Sequence, residues 1–319
     1  MKTIGVLTSG GDAPGMNAAV RAVVRTAISL GMTVKGIRRG YNGLMEGDII
    51  ELDARSVSDI IQLGGTMLYS ARSPKFKTPE GIAQAVETCK KFGIEGIVVI
   101  GGDGSYRGAR DLSLAGVPCV GIPGTIDNDI ASTEYTIGFD TAMNTVLDMV
   151  DRLRDTCDSH ERCSVVEVMG RRAGHIALRT GIAVGASAVV LPEKGLDMDA
   201  IINKIKETQK LGKKHFIIVV AEGIGGVNEM AKTIEEETGI ETRATILGHV
   251  QRGGRPTLRD RLIATQMGYE SVQLLKDGIG NRVVAYKTGK VVNYDIYEAL
   301  IMEKGIDEHL CEIALTTSI

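Results

Sequence analysis

Residues 96–105 read Gly96-Ile97-Val98-Val99-Ile100-Gly101-Gly102-Asp103-Gly104-Ser105. The first half is an apolar, β-branched run with no polar residue in alternation, the pattern of a strand buried on both faces. The second half is a glycine-rich turn, where the backbone bends sharply and can approach a ligand. The same grammar repeats outward from this stretch. Ile4 to Leu7 lead into Thr8-Ser9-Gly10-Gly11-Asp12 and a helix over 16–30. Cys119-Val120-Gly121-Ile122 leads into Pro123-Gly124-Thr125-Ile126-Asp127-Asn128-Asp129. Ser164 to Val168 lead into Met169-Gly170-Arg171, and Phe216 to Ala221 lead into Glu222-Gly223. Periodic helices are expected between them, over 138–156 and 199–211 among others. Buried strands alternating with helices make an α/β fold, doubly wound, with mainly parallel sheets flanked by helices. The five loops all follow carboxyl ends of strands, the edge where such sheets bind ligands. One hairpin is expected over 283–292, around Thr288-Gly289.

The chain has 319 residues, more than one hydrophobic core usually holds, so two lobes with a cleft between them are expected. The net charge of −3 supplies no basic field for nucleic acid or an anionic membrane surface. Aromatic residues are only 4% of the chain, too few for base-stacking platforms. Neither nucleic acid nor membrane is an expected partner. Cys89, Cys119, Cys157, Cys163 and Cys311 are an odd set without metal-site spacing, which reads as reduced thiols of a cytoplasmic protein. The N-terminus runs straight into the strand Thr3-Ile4-Gly5-Val6-Leu7, and no signal peptide is expected.

Four elements carry chemistry. The loop Gly10-Gly11-Asp12-Ala13-Pro14-Gly15 offers backbone N–H groups and a helix start to a polyphosphate, although many such turns serve packing alone. In Gly102-Asp103-Gly104-Ser105 a carboxylate at a strand end can reach a hard cation that bridges phosphates, or can equally be a turn residue. Thr125-Ile126-Asp127-Asn128-Asp129 sets two carboxylates two residues apart, which in an extended stretch face the same way. Such a pair suits proton abstraction from a hydroxyl, and two like charges raise one pKa toward that of a base. Finally, Arg72, Arg162, Arg171, Arg243 and Arg252 sit in or beside these segments, and arginine binds phosphate bidentately. The residues alone indicate a Mg²⁺-dependent phosphotransferase with two phosphate sites and an unknown acceptor. His175, His215 and His309 have no metal spacing and read as structural or surface groups.

These motifs, with His249-Val250-Gln251-Arg252-Gly253-Gly254, resemble in order and spacing the bacterial ATP-dependent 6-phosphofructokinase family. The resemblance implies a glycolytic kinase that passes the γ-phosphoryl of MgATP to the 1-hydroxyl of fructose 6-phosphate. It implies an ATP-binding domain over 1–138 and about 251–301, and a sugar-phosphate domain over 139–250 and about 302–319. Gly11, Tyr41, Arg72, Ser73, Gly102, Asp103, Gly104 and Ser105 would bind ATP, with Asp103 on Mg²⁺. Asp127 would be the base, with Asp129 beside it; Thr125, Arg171, Gly11 and Arg72 would stabilise the phosphoryl group in flight. Met169, Gly170, Glu222, His249 and Arg252 would join Thr125, Asp127 and Arg171 on the sugar phosphate. Arg162 and Arg243 would reach it from a neighbouring subunit of a homotetramer. An effector site for ADP or phosphoenolpyruvate would use Arg21, Arg25, Arg154, Gly185, Lys213, Lys214 and His215. There the family's metal-binding glutamate is Ser187 and an arginine is Leu211, so altered regulation is expected.

Three other readings compete. Pyrophosphate-using relatives carry Asp at the place of Gly104 and Lys at that of Gly124; both are glycine here, leaving room for the α-phosphate and adenosine. A silent metabolite-binding subunit would have lost Asp103, Asp127 or Arg171, and all three are present. A nicotinamide dehydrogenase needs G-x-G-x-x-G after its first strand, which Gly10-Gly11-Asp12-Ala13-Pro14-Gly15 does not supply.

Overall fold

Every residue of the strand Gly96–Gly101 is buried, as its unbroken apolar run dictates. It is β4 of a chain that runs β1 (Thr3–Ser9), α1 (Met16–Ser29), β2 (Thr33–Ile37), α2 (Gly40–Glu46), β3 (Ile49–Leu52), α3 (Pro79–Phe92), β4, α4 (Asp103–Leu114) and β5 (Cys119–Pro123). Next come α5 (Phe139–His160), β6 (Cys163–Val168), α6 (His175–Ala183), β7 (Ala188–Val190), α7 (Met198–Lys210), β8 (Phe216–Ala221), α8 (Val227–Thr238) and β9 (Thr242–Ile246). The chain ends with α9 (Leu258–Lys276), β10 (Arg282–Lys287), β11 (Lys290–Asp295), α10 (Ile296–Ile301) and α11 (Glu308–Thr317). This computed structural model describes residues 1–318.

Two compact units emerge. The first comprises Met1–Ile126, Ile130–Thr141 and Arg252–Lys304. The second comprises Asp127–Asp129, Ala142–Gln251 and the segment from Gly305 on. Unit 1 holds a sheet ordered β11-β10-β5-β4-β1-β2-β3. Its inner strands are parallel; β3 and β11 at the two edges run antiparallel to their neighbours. Unit 2 holds an all-parallel sheet ordered β7-β8-β6-β9. The expected α/β architecture with mainly parallel sheets is therefore the one observed.

Local chemistry explains the boundaries. Thr78 caps α3 through its side-chain oxygen, which accepts from Gly81 N–H, and Pro79 occupies the first helical position, where no N–H is needed. The hairpin β10–β11 pairs Lys287 with Lys290, so Thr288-Gly289 is a two-residue turn. Both have positive φ (46° and 80°), the requirement of the turn whose twist matches its strands. Unit 1 packs Leu7, Ile37, Ile97, Val99 and Tyr106 into one core, and unit 2 packs Val165, Ile205, Phe216, Ile218 and Ile234 into another. Each such side chain contributes about 1.5–3 kcal/mol by leaving water.

The five thiols are all buried and none forms a disulfide. Burial pushes Cys89 up to about 11, and Cys119 and Cys163 to about 12, so the reactive thiolate is scarce at neutral pH. Titration of the native protein with a disulfide reagent at pH 7.5 is expected to find no fast-reacting thiol, and all five after unfolding. A fast thiol in the native protein would contradict this packing.

Candidate active site

In unit 1 three strand ends converge. The segment after β1 is tied down from residues 69–71: Thr8 Oγ1 donates to Tyr69 O (2.8 Å), Ser70 Oγ to Gly10 O (2.6 Å) and Gly10 N–H to Ala71 O (3.4 Å). Arg72 and Ser73 follow directly from this tie, and Arg72 is exposed. A Cβ on Gly11 would lie 3.0 Å from an Arg252 guanidinium nitrogen. Arg252 therefore stands against the first glycine loop.

The loop after β4 opens α4, whose first residue is Asp103. Its carboxylate is half exposed and pairs with Arg107 one turn on, at 3.0 Å. Ser105 Oγ donates to Ser9 O (3.1 Å), joining this loop to β1. Tyr41 is buried, stacked on Phe76 at 4.0 Å, and donates its hydroxyl to Ser105 O at 2.6 Å. Burial pushes that phenol well above its ordinary range. Tyr41 thus holds the loop from below. Apart from its chain neighbours and the backbone of α4, nothing lies within 4 Å of a Cβ built on Gly104, whereas one on Gly124 would meet Ile100 and Met16 at 3.1 Å. Among the described residues no cluster of three or more His, Cys, Asp or Glu forms a metal cage. A single carboxylate beside an open glycine loop at a helix start fits Mg²⁺, which is commonly held by one or two carboxylates plus substrate phosphates.

Thr125 follows Gly124 and its carbonyl accepts from Thr136 Oγ1 at 2.6 Å.

In unit 2 the carboxylates meet an arginine. Asp127 is 2% exposed, and its Oδ2 lies 3.0 Å from Arg171 Nε; Asp129 Oδ2 lies 3.9 Å from the same guanidinium. The segment is not the extended stretch expected from the spacing. Asn128 has φ 52°, a left-handed residue in a turn, so the turn and not the strand pleat brings both carboxylates to Arg171. Arg171 itself has φ 55°. Its backbone N–H donates to Glu222 Oε1 at 2.6 Å, and Gly170 N–H donates to the same oxygen at 3.2 Å. Gly170 has φ 146°, and a Cβ on it would strike Ala173 O at 2.6 Å, so no larger residue fits. Glu193 accepts from Gly174 N–H at 2.9 Å and pins the far end of this loop.

Met169 N–H donates to Gln251 Oε1 at 2.8 Å, and His249 stands exposed two residues before. Arg162 and Arg243 both grip Glu241, at 2.8 and 2.6 Å. Their hydrogen bonds, Arg162 first, hold its carboxyl below the usual range. Glu193, Glu241 and Gln251 were not singled out as separate site groups from sequence. Of the expected effector residues, Arg154 donates to Val184 O beside Gly185, and Lys213 is lowered by burial and by Arg154 nearby. Lys204 is lowered by burial and by Lys213 and joins that cationic group. Lys214 pairs with Glu161 and His215 with Asp158. Arg21 and Arg25 lie on α1, in unit 1.

The Phosphofructokinase family profile matches residues 3–275. A curated protein of Clostridium botulinum, described as an ATP-dependent 6-phosphofructokinase, is 58% identical over 318 residues and is covered along its whole length, as is this chain. The Saccharomyces cerevisiae phosphofructokinase structure superposes with a TM-score of 0.90 at 34% identity; all of this chain is covered, and it spans 48% of the yeast chain. A pyrophosphate-dependent phosphofructokinase of Marinobacter aquaeolei shares the fold, with a TM-score of 0.87 at 20% identity over 100% of this chain and 92% of that one. The chain belongs to the phosphofructokinase family.

Proposed function

We propose that the protein transfers the γ-phosphoryl group of ATP to the 1-hydroxyl of fructose 6-phosphate, giving fructose 1,6-bisphosphate and ADP. The observation that carries the reading is the buried Asp127 carboxylate, ion-paired at 3.0 Å with an Arg171 whose backbone is fixed by Glu222. Unit 1 is the ATP-binding part and unit 2 the sugar-phosphate part. Asp127 accepts the proton of the attacking hydroxyl. Arg171 pairs with Asp127 before substrate arrives, with Asp129 at the edge of its reach; in the reaction its guanidinium turns to the charge spread over the phosphoryl oxygens. Gly11, Thr125 and Arg72 serve the same charge. Gly102, Gly104 and Ser105, with the start of α4, cradle the polyphosphate through backbone N–H groups. Asp103 would hold Mg²⁺, which when bound would offset the negative charge of the polyphosphate. Met169, Gly170, Glu222, His249 and Arg252 hold the sugar phosphate, with Arg162 and Arg243 contributed by a neighbouring subunit of a homotetramer.

Arg154, Lys213 and their cationic neighbours form an anion site for an effector such as ADP or phosphoenolpyruvate. With Ser187 and Leu211 in place of an acid and a base, its response is weakened. Among the described residues no helix is long and apolar enough to cross a membrane. We place the protein in the cytoplasm.

The test is product identity. Purified protein with Mg²⁺, ATP and fructose 6-phosphate is expected to give, by phosphorus NMR, a second phosphate on C1. No product, or phosphate on another hydroxyl, would overturn the assignment.

A further inference from the structure

Asp260 is 0% exposed, yet it is a carboxylate with four donors of its own. Oδ1 accepts from Tyr135 Oη at 2.6 Å and Gly138 N–H at 2.7 Å; Oδ2 accepts from Thr141 N–H at 2.9 Å and Thr141 Oγ1 at 2.5 Å. Burial lifts this carboxyl above its ordinary range, against those hydrogen bonds, so the group is costly to keep where it is. Its place in α9 makes the arrangement unusual. Thr257 caps α9, and Asp260 stands three residues on, where an acidic side chain ordinarily reaches back to the cap's N–H. Here Thr141 Oγ1 accepts from Thr257 N–H at 3.0 Å, and the Asp260 carboxylate is directed to residues 135–141 instead.

That segment is the partner of both reactive loops. Ile137 N–H donates to Pro123 O at 2.8 Å, Ile137 bridges Gly124, and Thr136 Oγ1 donates to Thr125 O at 2.6 Å. On its other side a Cβ on Gly138 would lie 2.7 Å from Ala13 Cβ, and one on Gly15 would lie 2.7 Å from Ile137 and 3.4 Å from Asp260 Cβ. Residues 135–138 are thus wedged between the first glycine loop and the stretch that ends, two residues after Thr125, at Asp127. We infer that Asp260 is a positioning residue: through Tyr135, Thr136 and Gly138 it sets the place of the Thr125–Asp127 loop, and so of the base. The inference rests on the assignment of Asp127 as that base.

The test is a double-mutant cycle of Tyr135→Phe and Asp127→Ser, with kcat and KM for both substrates read on all four proteins. Tyr135→Phe removes one donor and keeps the ring. It is expected to lower kcat by about tenfold, as small misplacement of a reacting group does, with both KM values nearly unchanged. In the Asp127→Ser background the same change is expected to have a clearly smaller effect on kcat, because the base is gone and only Thr125 is left to be misplaced. A purely structural Tyr135 would lower kcat by the same factor in both backgrounds, which overturns the inference; so does an unchanged kcat in the wild-type background. An Asp127→Ser protein with normal kcat would overturn the base assignment itself. Should Tyr135→Phe fail to fold, Asp260→Asn, which keeps the side chain's size and one accepting oxygen but loses its charge, carries the same expectation.

Discussion

Replacing Asp127 with serine is expected to lower kcat by about 10²–10⁴-fold, the usual contribution of a positioned general base. The KM for fructose 6-phosphate should change little, because a base acts on the proton in the transition state and adds little to ground-state binding. The substitution also removes the 3.0 Å partner of Arg171, leaving that guanidinium with Asp129 at 3.9 Å. Half exposed, Arg171 keeps access to water, so a folded protein with a normal melting temperature is expected alongside the loss of turnover. A serine variant that keeps most of its kcat would move the base elsewhere, with Asp129 the next carboxylate in reach of the same arginine.

The second large effect belongs to the donor. Gly104→Asp is expected to reduce kcat/KM for ATP by about 10²–10³-fold, since a like charge set against a bound anion costs several kcal/mol and each 1.4 kcal/mol is tenfold. The residue occupies the first turn of α4, directly after Asp103, and apart from its chain neighbours and the helix backbone nothing stands within 4 Å of the added Cβ. The variant should therefore fold. Its carboxylate would project into the space left for the triphosphate and crowd negative charge beside Asp103. Fructose 6-phosphate KM at saturating ATP should stay within about twofold, as Gly104 is not among the residues assigned to the sugar phosphate. Gly124→Lys differs in kind: its Cβ would press on Ile100 and Met16 at 3.1 Å, so part of its effect would be a lower melting temperature. Steady-state kinetics with varied ATP separates the two. Unchanged kcat/KM for ATP in Gly104→Asp would remove Gly104 from donor selection.

Strands were legible wherever burial on both faces left an unbroken apolar run, as in Ile97-Val98-Val99-Ile100, and the hairpin was legible from the two β-rich runs around Thr288-Gly289, although the β-branched Thr288 at φ 46° is not a residue its turn favours. The loop Thr125-Ile126-Asp127-Asn128-Asp129 stands out in the sequence because its four hydrogen-bonding side chains exceed what a turn requires. What failed there was the geometry. Two residues of spacing suggested a pleat, whereas the left-handed Asn128 makes a turn that aims both acids at Arg171. Groups that act on loops from afar left no local signal. Asp260 looks like an ordinary first-turn acid of α9, and its partner Tyr135 is 125 residues away. Glu241 and Gln251 are likewise single polar residues whose meaning lies in Arg162, Arg243 and Met169. Tyr41, expected at the nucleotide, is buried, with its hydroxyl committed to the Ser105 carbonyl.

The most direct measurement supplies purified protein with Mg²⁺ and fructose 6-phosphate, and either ATP or pyrophosphate as the donor, and follows fructose 1,6-bisphosphate. Rapid turnover with ATP and none with pyrophosphate is the expected result. Turnover with pyrophosphate alone would contradict the account.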